Sequence, residues 1–202
     1  MMLIRNYISS LVVDTLSEQT YGQNVAVLSL YCDYQAQKGQ SAVNIIGSLL
    51  RQVFLGKVEA VGEIKNAFEK SRRGGGKGLR LPEMLGLFVK TIGSIERVYI
   101  CVDAMDELVP QHRSEFLRAL RQIIQEAPNT RLFLTGRPHI RGELDKHLTK
   151  GAYIIHVVPD QGDIAKYLRR KMDDDDDRDP DLMTENLKND IMGTILEKAS
   201  EM

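Results

Sequence analysis

Apolar residues recur at helical spacing near the start of the chain, at Leu3, Ile4, Tyr7, Ile8, Leu11, Val12 and Leu16. This predicts an amphipathic helix over residues 3–20, with no capping residue ahead of it to satisfy its first N–H groups. Residues 25–31, VAVLSLY, are short, apolar and partly β-branched, and they follow the turn-like Gly22-Gln23-Asn24. They predict a buried strand. Helices are predicted over 41–55 and 57–70, the first with Val43, Ile46, Leu50, Val53 and Phe54 on one face. After a basic, glycine-rich loop at 71–80, Pro82 opens a helix ending near Ile92. Strands are predicted at 97–102 (RVYICV), 131–135 (RLFLT) and 153–158 (YIIHVV). Between them lie a helix over 111–126, which starts after Pro110 and ends before Pro128-Asn129, and a short one over 139–147. A further helix runs from Asp160, as N-cap, to Lys171, and a last one covers 184–201 with Leu187, Ile191, Ile195 and Ala199. The run DDDDDRD at 173–179 repels itself and reads as solvated linker. The expected organisation is therefore a core over 1–172, an acidic linker over 173–181 and the start of a following helical segment over 182–202.

Strands that alternate with helices imply an α/β fold with a mainly parallel sheet. In such sheets ligands sit beyond the carboxyl ends of the strands, so the residues just after each strand matter most. Composition adds exclusions. The 202 residues are 43% hydrophobic and 27% charged with a net charge of −1, ordinary for a globular chain and not that of a nucleic-acid binder. No apolar run is long enough for a membrane span. Cys32 and Cys101 sit in apolar runs without CxxC pairing, which predicts reduced, buried thiols and a cytoplasmic protein.

The chemistry concentrates after two strands. Strand 97–102 runs into Asp103-Ala104-Met105-Asp106-Glu107. An apolar strand delivering a carboxylate at its carboxyl end is the Walker B arrangement, in which Asp103 can hold Mg²⁺. Asp106 and Glu107 could orient or deprotonate a water, and three carboxylates so close would repel one another until a divalent cation relieved them. Strand 131–135 runs into Gly136-Arg137-Pro138. Arg137 would emerge at the same sheet edge as Asp103 if the two strands are neighbours, where it could sense a terminal phosphate. Gly74-Gly75-Gly76-Lys77 is not a P-loop: Gly78 follows the lysine, no strand precedes the glycines, and GK[ST] occurs nowhere in the chain. His112, His139, His147 and His156 lack metal-ligand spacing, and no Ser or Cys pairs with a His to suggest a nucleophile.

The segments LYCDYQAQ (30–37), LRLPEML (79–85), RVYICVDAMDEL (97–108), TRLFLTGRPHI (130–140) and ILEKASEM (195–202) resemble the NACHT domain of fungal STAND-class signalling NTPases, which often carry ankyrin-type repeats. The resemblance implies a three-layer P-loop NTPase-like fold, ATP and Mg²⁺ as cofactors, and protein partners or self-association. It implies Asp103 as the metal and nucleotide ligand, Asp106 or Glu107 as the catalytic base, and Arg137 as the sensor. In that family a strand and a GxxGxGKT loop precede the helix that matches ISSLVVDTLSEQ (8–19); here MMLIRNY stands in their place. The expectation is therefore a NACHT fragment without its P-loop strand, poor in ATP binding and hydrolysis, or else a non-enzymatic interaction module derived from one. The family's strand order would be 25–31, 97–102, 131–135, a gap, then 153–158. Either the last strand closes onto 131–135, or the gap persists and the exposed edges invite association or aggregation.

Overall fold

The computed structural model describes residues 2–55, 78–148, 152–157, 160–176 and 184–200. The expected helix at 57–70, most of the basic loop at 71–80 including Gly74–Lys77, and the second half of the acidic run lie outside the described residues. The chain divides into two compact units, Met1–Ala152 and Tyr153–Met202.

The first unit is built on a parallel sheet of three strands: β1 (Val25–Tyr31), β2 (Arg97–Asp103) and β3 (Thr130–Leu134), in the order β1-β2-β3. The fold class is α/β. Val25 pairs with Arg97, Tyr31 with Asp103, Val98 with Thr130, and Val102 with Leu134. Parallel neighbours need crossover helices, and those cover the sheet. Helix α1 spans Met2–Gln19, α2 Ala42–Leu55, α3 Leu81–Ile92, α4 Pro110–Glu126 and α5 Arg141–Leu148. Side chains alternate across a strand. Val98, Ile100 and Val102 of β2 therefore share one core with α2, α3 and α4, while Asp103 turns to the opposite face and meets α1. Phe88 and Phe116 are the largest fully buried side chains in this aliphatic core.

Three expectations need correction. On α2 the buried stripe is Ala42, Ile45, Ile46, Leu49, Leu50 and Val53; Val43 and Phe54 only flank it. On α1 the described apolar positions Ile8, Val12 and Leu16 are only half-buried. Leu11 is largely exposed, whereas Ser9 is buried because its hydroxyl serves a carboxylate. The run 153–158 is not a strand in its described part: residues 152–157 have no regular structure, and Tyr153 and Ile155 are exposed. Strand propensity measures fit to a pleated, half-buried surface, so an apolar β-branched run that pairs with no strand among the described residues stays irregular.

The second unit contains α6 (Gln161–Asp176) and α7 (Glu185–Ser200), packed on each other. Helix α6 extends to Asp176, so the first four residues of the acidic run are helical rather than linker. Carboxylates are unfavourable at a helix C-terminus. Here Lys188 of α7 offsets part of that cost, 3.8 Å from Asp173. Among the described residues no helix is long and apolar enough to cross a membrane.

Candidate functional site

All three strands point the same way, so their carboxyl ends collect Cys32, Asp103–Glu107 and Thr135–Arg137 at one edge. Asp103 closes the central strand and is almost fully buried. A buried carboxylate needs donors. Its Oδ1 accepts hydrogen bonds from Ser9 Oγ of α1 and from Thr135 Oγ1, the latter at 2.6 Å. Thr135 does more than this. Its Oγ1 accepts from Ala104 N at 3.0 Å, its carbonyl accepts from Met105 N at 2.9 Å, and its own N–H donates to Val102 O at 2.9 Å. The residue just past β3 thus fastens the whole turn that follows β2. Ala104 sits in that turn with φ 53° and ψ 46°, a left-handed conformation that costs a residue with a Cβ about 1 kcal/mol. The Thr135 bonds on either side hold it there.

Asp106 and Arg137 meet directly. Arg137 Nε lies 3.3 Å from Asp106 Oδ2, and the Arg137 backbone N–H donates to Asp106 Oδ1 at 3.1 Å. The carboxylate is buried while the guanidinium is half-exposed. A Cβ at Gly136 would lie 2.7 Å from Ile140 Cδ1, so a larger residue there would push the Ile140 side chain aside. Glu107 turns elsewhere: its Oε2 accepts from Tyr34 N at 3.0 Å and its carbonyl from Gln37 Nε2 at 2.9 Å. It anchors the 3₁₀ turn Tyr34–Gly39, whose first residues Asp33 caps by accepting from Gln35 N at 2.8 Å. Asp103, Asp106 and Glu107 therefore have separate protein partners. Among the described residues no three His, Cys, Asp or Glu side chains converge as a metal site. The three carboxylates do act on one neighbour: burial first, then Asp103, Glu107 and Asp106, push the Cys32 thiol up to about 12.

Sequence reasoning overlooked four groups here. Ser9 was hidden in an apolar helix and Thr135 counted as the last residue of a strand. Arg113 is buried in α4 and grips Glu143 of α5 through two hydrogen bonds, Nε at 2.9 Å and Nη2 at 2.6 Å. Its Nη1 donates to Leu108 O at 2.8 Å and Asp106 O at 3.3 Å, so it braces the Asp106 turn from below. The only available signal was a basic residue one turn into a helix that follows the acidic segment.

A pair of threonines separates support of the site from mere burial. Thr135→Val removes a donor to Asp103 and the acceptor of Ala104 N, and it is expected to destabilise the chain by about 2 kcal/mol. Among the described residues Thr130 Oγ1 is buried without a hydrogen-bond partner, so Thr130→Val is expected to be neutral or slightly stabilising. Denaturant titration of both variants checks this, and equal losses would contradict the role given to Thr135.

No curated protein matches the chain. The family model described as nephrocystin 3, N-terminal, matches residues 5–137, from the first turns of α1 to Arg137. That span includes Ser9, Asp103, Asp106, Glu107, Thr135 and Arg137, but not Glu143, the partner of Arg113. With two thirds of its residues inside that match, the chain belongs to the nephrocystin 3 N-terminal family.

Proposed function

We propose that this chain is the Walker B and sensor part of a NACHT-type, nucleotide-switched signalling NTPase. One observation carries the reading: Asp103 ends the central strand, and Arg137 follows the neighbouring strand at the same sheet edge, with Asp106 joined to it. Asp103 suits Mg²⁺ as a hard oxygen ligand. Two hydroxyl groups fix its Oδ1, and no hydrogen bond occupies Oδ2 among the described residues. Mg²⁺ typically takes one or two carboxylates and fills its remaining positions with waters and substrate phosphates. A bound Mg²⁺·ATP would supply the electrophilic terminal phosphoryl group. The chain's own part is to hold the cation at Asp103, to offer the Arg137 charge to the phosphate, and to orient water with Asp106 or Glu107.

The grip on phosphate is expected to be weak. The backbone N–H groups and lysine of a P-loop do most of that work, and GK[ST] is absent from the 202 residues. ATP·Mg²⁺ is therefore expected to bind this chain no tighter than roughly millimolar, about −4 kcal/mol. Paramagnetic Mn²⁺ with ATP is a suitable probe. Water relaxation should report weak binding that Asp103→Asn abolishes and Thr130→Val leaves intact. Micromolar binding by calorimetry would show that another segment cradles phosphate. Binding unchanged in Asp103→Asn would remove Asp103 from its role.

A second reading, a non-enzymatic interaction module that keeps the surface of such a domain, is favoured by the carboxylate partners. Asp106 is engaged by Arg137 and Glu107 by the 34–39 turn, so neither is poised over a substrate. No Mn²⁺ signal from the wild-type chain would decide for this reading. Protein partners and a reducing, cytoplasmic setting accord with both readings, the latter through the free, buried Cys32 and Cys101.

A further inference from the structure

The backbones that carry Asp106 and Arg137 are each fastened by contacts other than their ion pair. The turn of Asp106 is held by Thr135, through Ala104 N and Met105 N, and by Arg113 Nη1, which donates to the Asp106 carbonyl at 3.3 Å. Arg137 precedes Pro138, and a residue in that position is confined to extended backbone; its φ is −73° and its ψ 154°. The Arg137 N–H donates to Asp106 Oδ1 at 3.1 Å, and its carbonyl accepts from Ile140 N at 3.2 Å. The Arg137 side chain can therefore move while both backbones stay in place.

The ion pair itself is loose. Arg137 Nε stands 3.3 Å from Asp106 Oδ2, longer than the roughly 2.7–2.9 Å of a tight charge-assisted hydrogen bond. Among the described residues no hydrogen bond from the guanidinium accompanies it, so the fork keeps its donors for a second anion. The carboxylate is the fixed member, with its side chain 3% exposed. It would not be left uncompensated if the guanidinium departed. The Arg137 N–H remains on Oδ1, and the charge of Arg113 lies close enough to interact with Asp106. A buried carboxylate tolerates the loss of a partner only under such conditions.

We propose that Asp106 is a positioning residue that holds Arg137 in reserve. At rest the guanidinium lies on the Asp106 carboxylate; a terminal phosphate dianion draws it off, while the Arg137 N–H stays on Asp106 Oδ1. Asp106 then serves Arg137 and not a water. The same contact sets selectivity. A singly charged anion offers the guanidinium no more charge than Asp106 already does, whereas a phosphate dianion offers more charge and acceptor oxygens that match the planar fork. This inference rests on the reading of Arg137 as the group that senses phosphate.

The test titrates the intact, isotope-labelled chain with inorganic tripolyphosphate at constant ionic strength and near-neutral pH. No metal is added, so Asp103 and its cation do not enter. In the wild type the Arg137 Nε–H resonance should shift with the probe while the Arg137 backbone N–H resonance stays in place. The phosphorus resonances of the probe give the half-saturating concentration. Asp106→Asn should lower it roughly fivefold to tenfold, the effect of freeing one ion-paired arginine. In an Arg137→Ala background the same substitution should lower it by less than twofold, because only the general field of one carboxylate is then removed. An Nε–H resonance that does not move, or that moves together with the backbone N–H, overturns the proposal on the wild-type chain alone, whether or not Asp106→Asn folds. Equal midpoints for wild type and Asp106→Asn, or an equal gain in the Arg137→Ala background, overturn it as well. The nucleotide reading is judged separately, by Mn²⁺ with ATP and Asp103→Asn, so either result can fail while the other stands.

Discussion

Arg113→Met is expected to destabilise the first unit by roughly 2–4 kcal/mol, the cost of breaking a buried ion pair whose partner is itself partly exposed. Methionine keeps most of the packing of the arginine stem, so the loss reports the guanidinium. That group is 6% exposed and serves Glu143, Leu108 O and Asp106 O at once. Removing it leaves two carbonyls without a donor and releases α5 from the turn that presents Asp106. Glu143→Gln should cost less, because Glu143 is 40% exposed and water can replace much of the interaction. The double variant should show a coupling of about 1 kcal/mol. The pH dependence has a definite sign. The hydrogen bond from Arg113, opposed by burial and assisted by the nearby positive charges, holds the Glu143 carboxyl below its ordinary 4.5. A depressed carboxyl stabilises the folded chain fully above that value and less as pH falls through the folded one. The penalty of Arg113→Met should therefore shrink below about pH 4.5. A penalty that stays constant from pH 7 to pH 3, or a melting temperature within two degrees of wild type, would contradict this account.

Both thiols are expected to resist alkylation in the folded chain by a wide margin. Burial and the three neighbouring carboxylates push Cys32 from 9.0 up to about 12, and burial alone pushes Cys101 up to about 11. The thiolate is the reactive form, so at pH 8 the thiolate fraction falls by about a thousandfold at Cys32 and a hundredfold at Cys101. Steric occlusion adds to that, since Cys32 is 7% and Cys101 2% exposed. A maleimide or disulfide reagent should label neither cysteine in native buffer and both in denaturant. Stability should also fall as pH rises above about 9, because the unfolded chain then loses thiol protons that the folded chain retains. Rapid labelling of Cys32 in the native state would mean that the strand ends open readily. It would also remove the thiol as a reporter of the Asp103 environment.

Much of the architecture was legible because periodicity and punctuation are local. VAVLSLY became β1 as read, RVYICV became β2 with Asp103 as its last residue, and Pro110 and Pro128 bracketed α4. The neighbouring placement of Asp103 and Arg137 was conditional on the strand order that the family resemblance implied, and β2 does pair with β3. The run at 153–158 shows where local signal fails. Its composition is that of a strand, but a strand exists only beside another, and that condition lies outside the segment. Helix α1 fails differently: its spacing announced an apolar face, yet Ser9 is its buried contact because the Asp103 carboxylate needs a donor 94 positions away in sequence. The division of Asp103, Asp106 and Glu107 among three separate partners was equally unreadable. Adjacent carboxylates look alike in one dimension; only the turn after β2, held by Thr135 through a strained Ala104, aims them apart. Spacing along the chain thus determined β1, β2 and β3, the described helices and the chemical groups delivered to the sheet edge. The tertiary structure decided which polar atoms meet, because hydrogen bonds of the kind made by Ser9, Thr135 and Arg113 depend on the positions of distant elements and leave no period in the sequence.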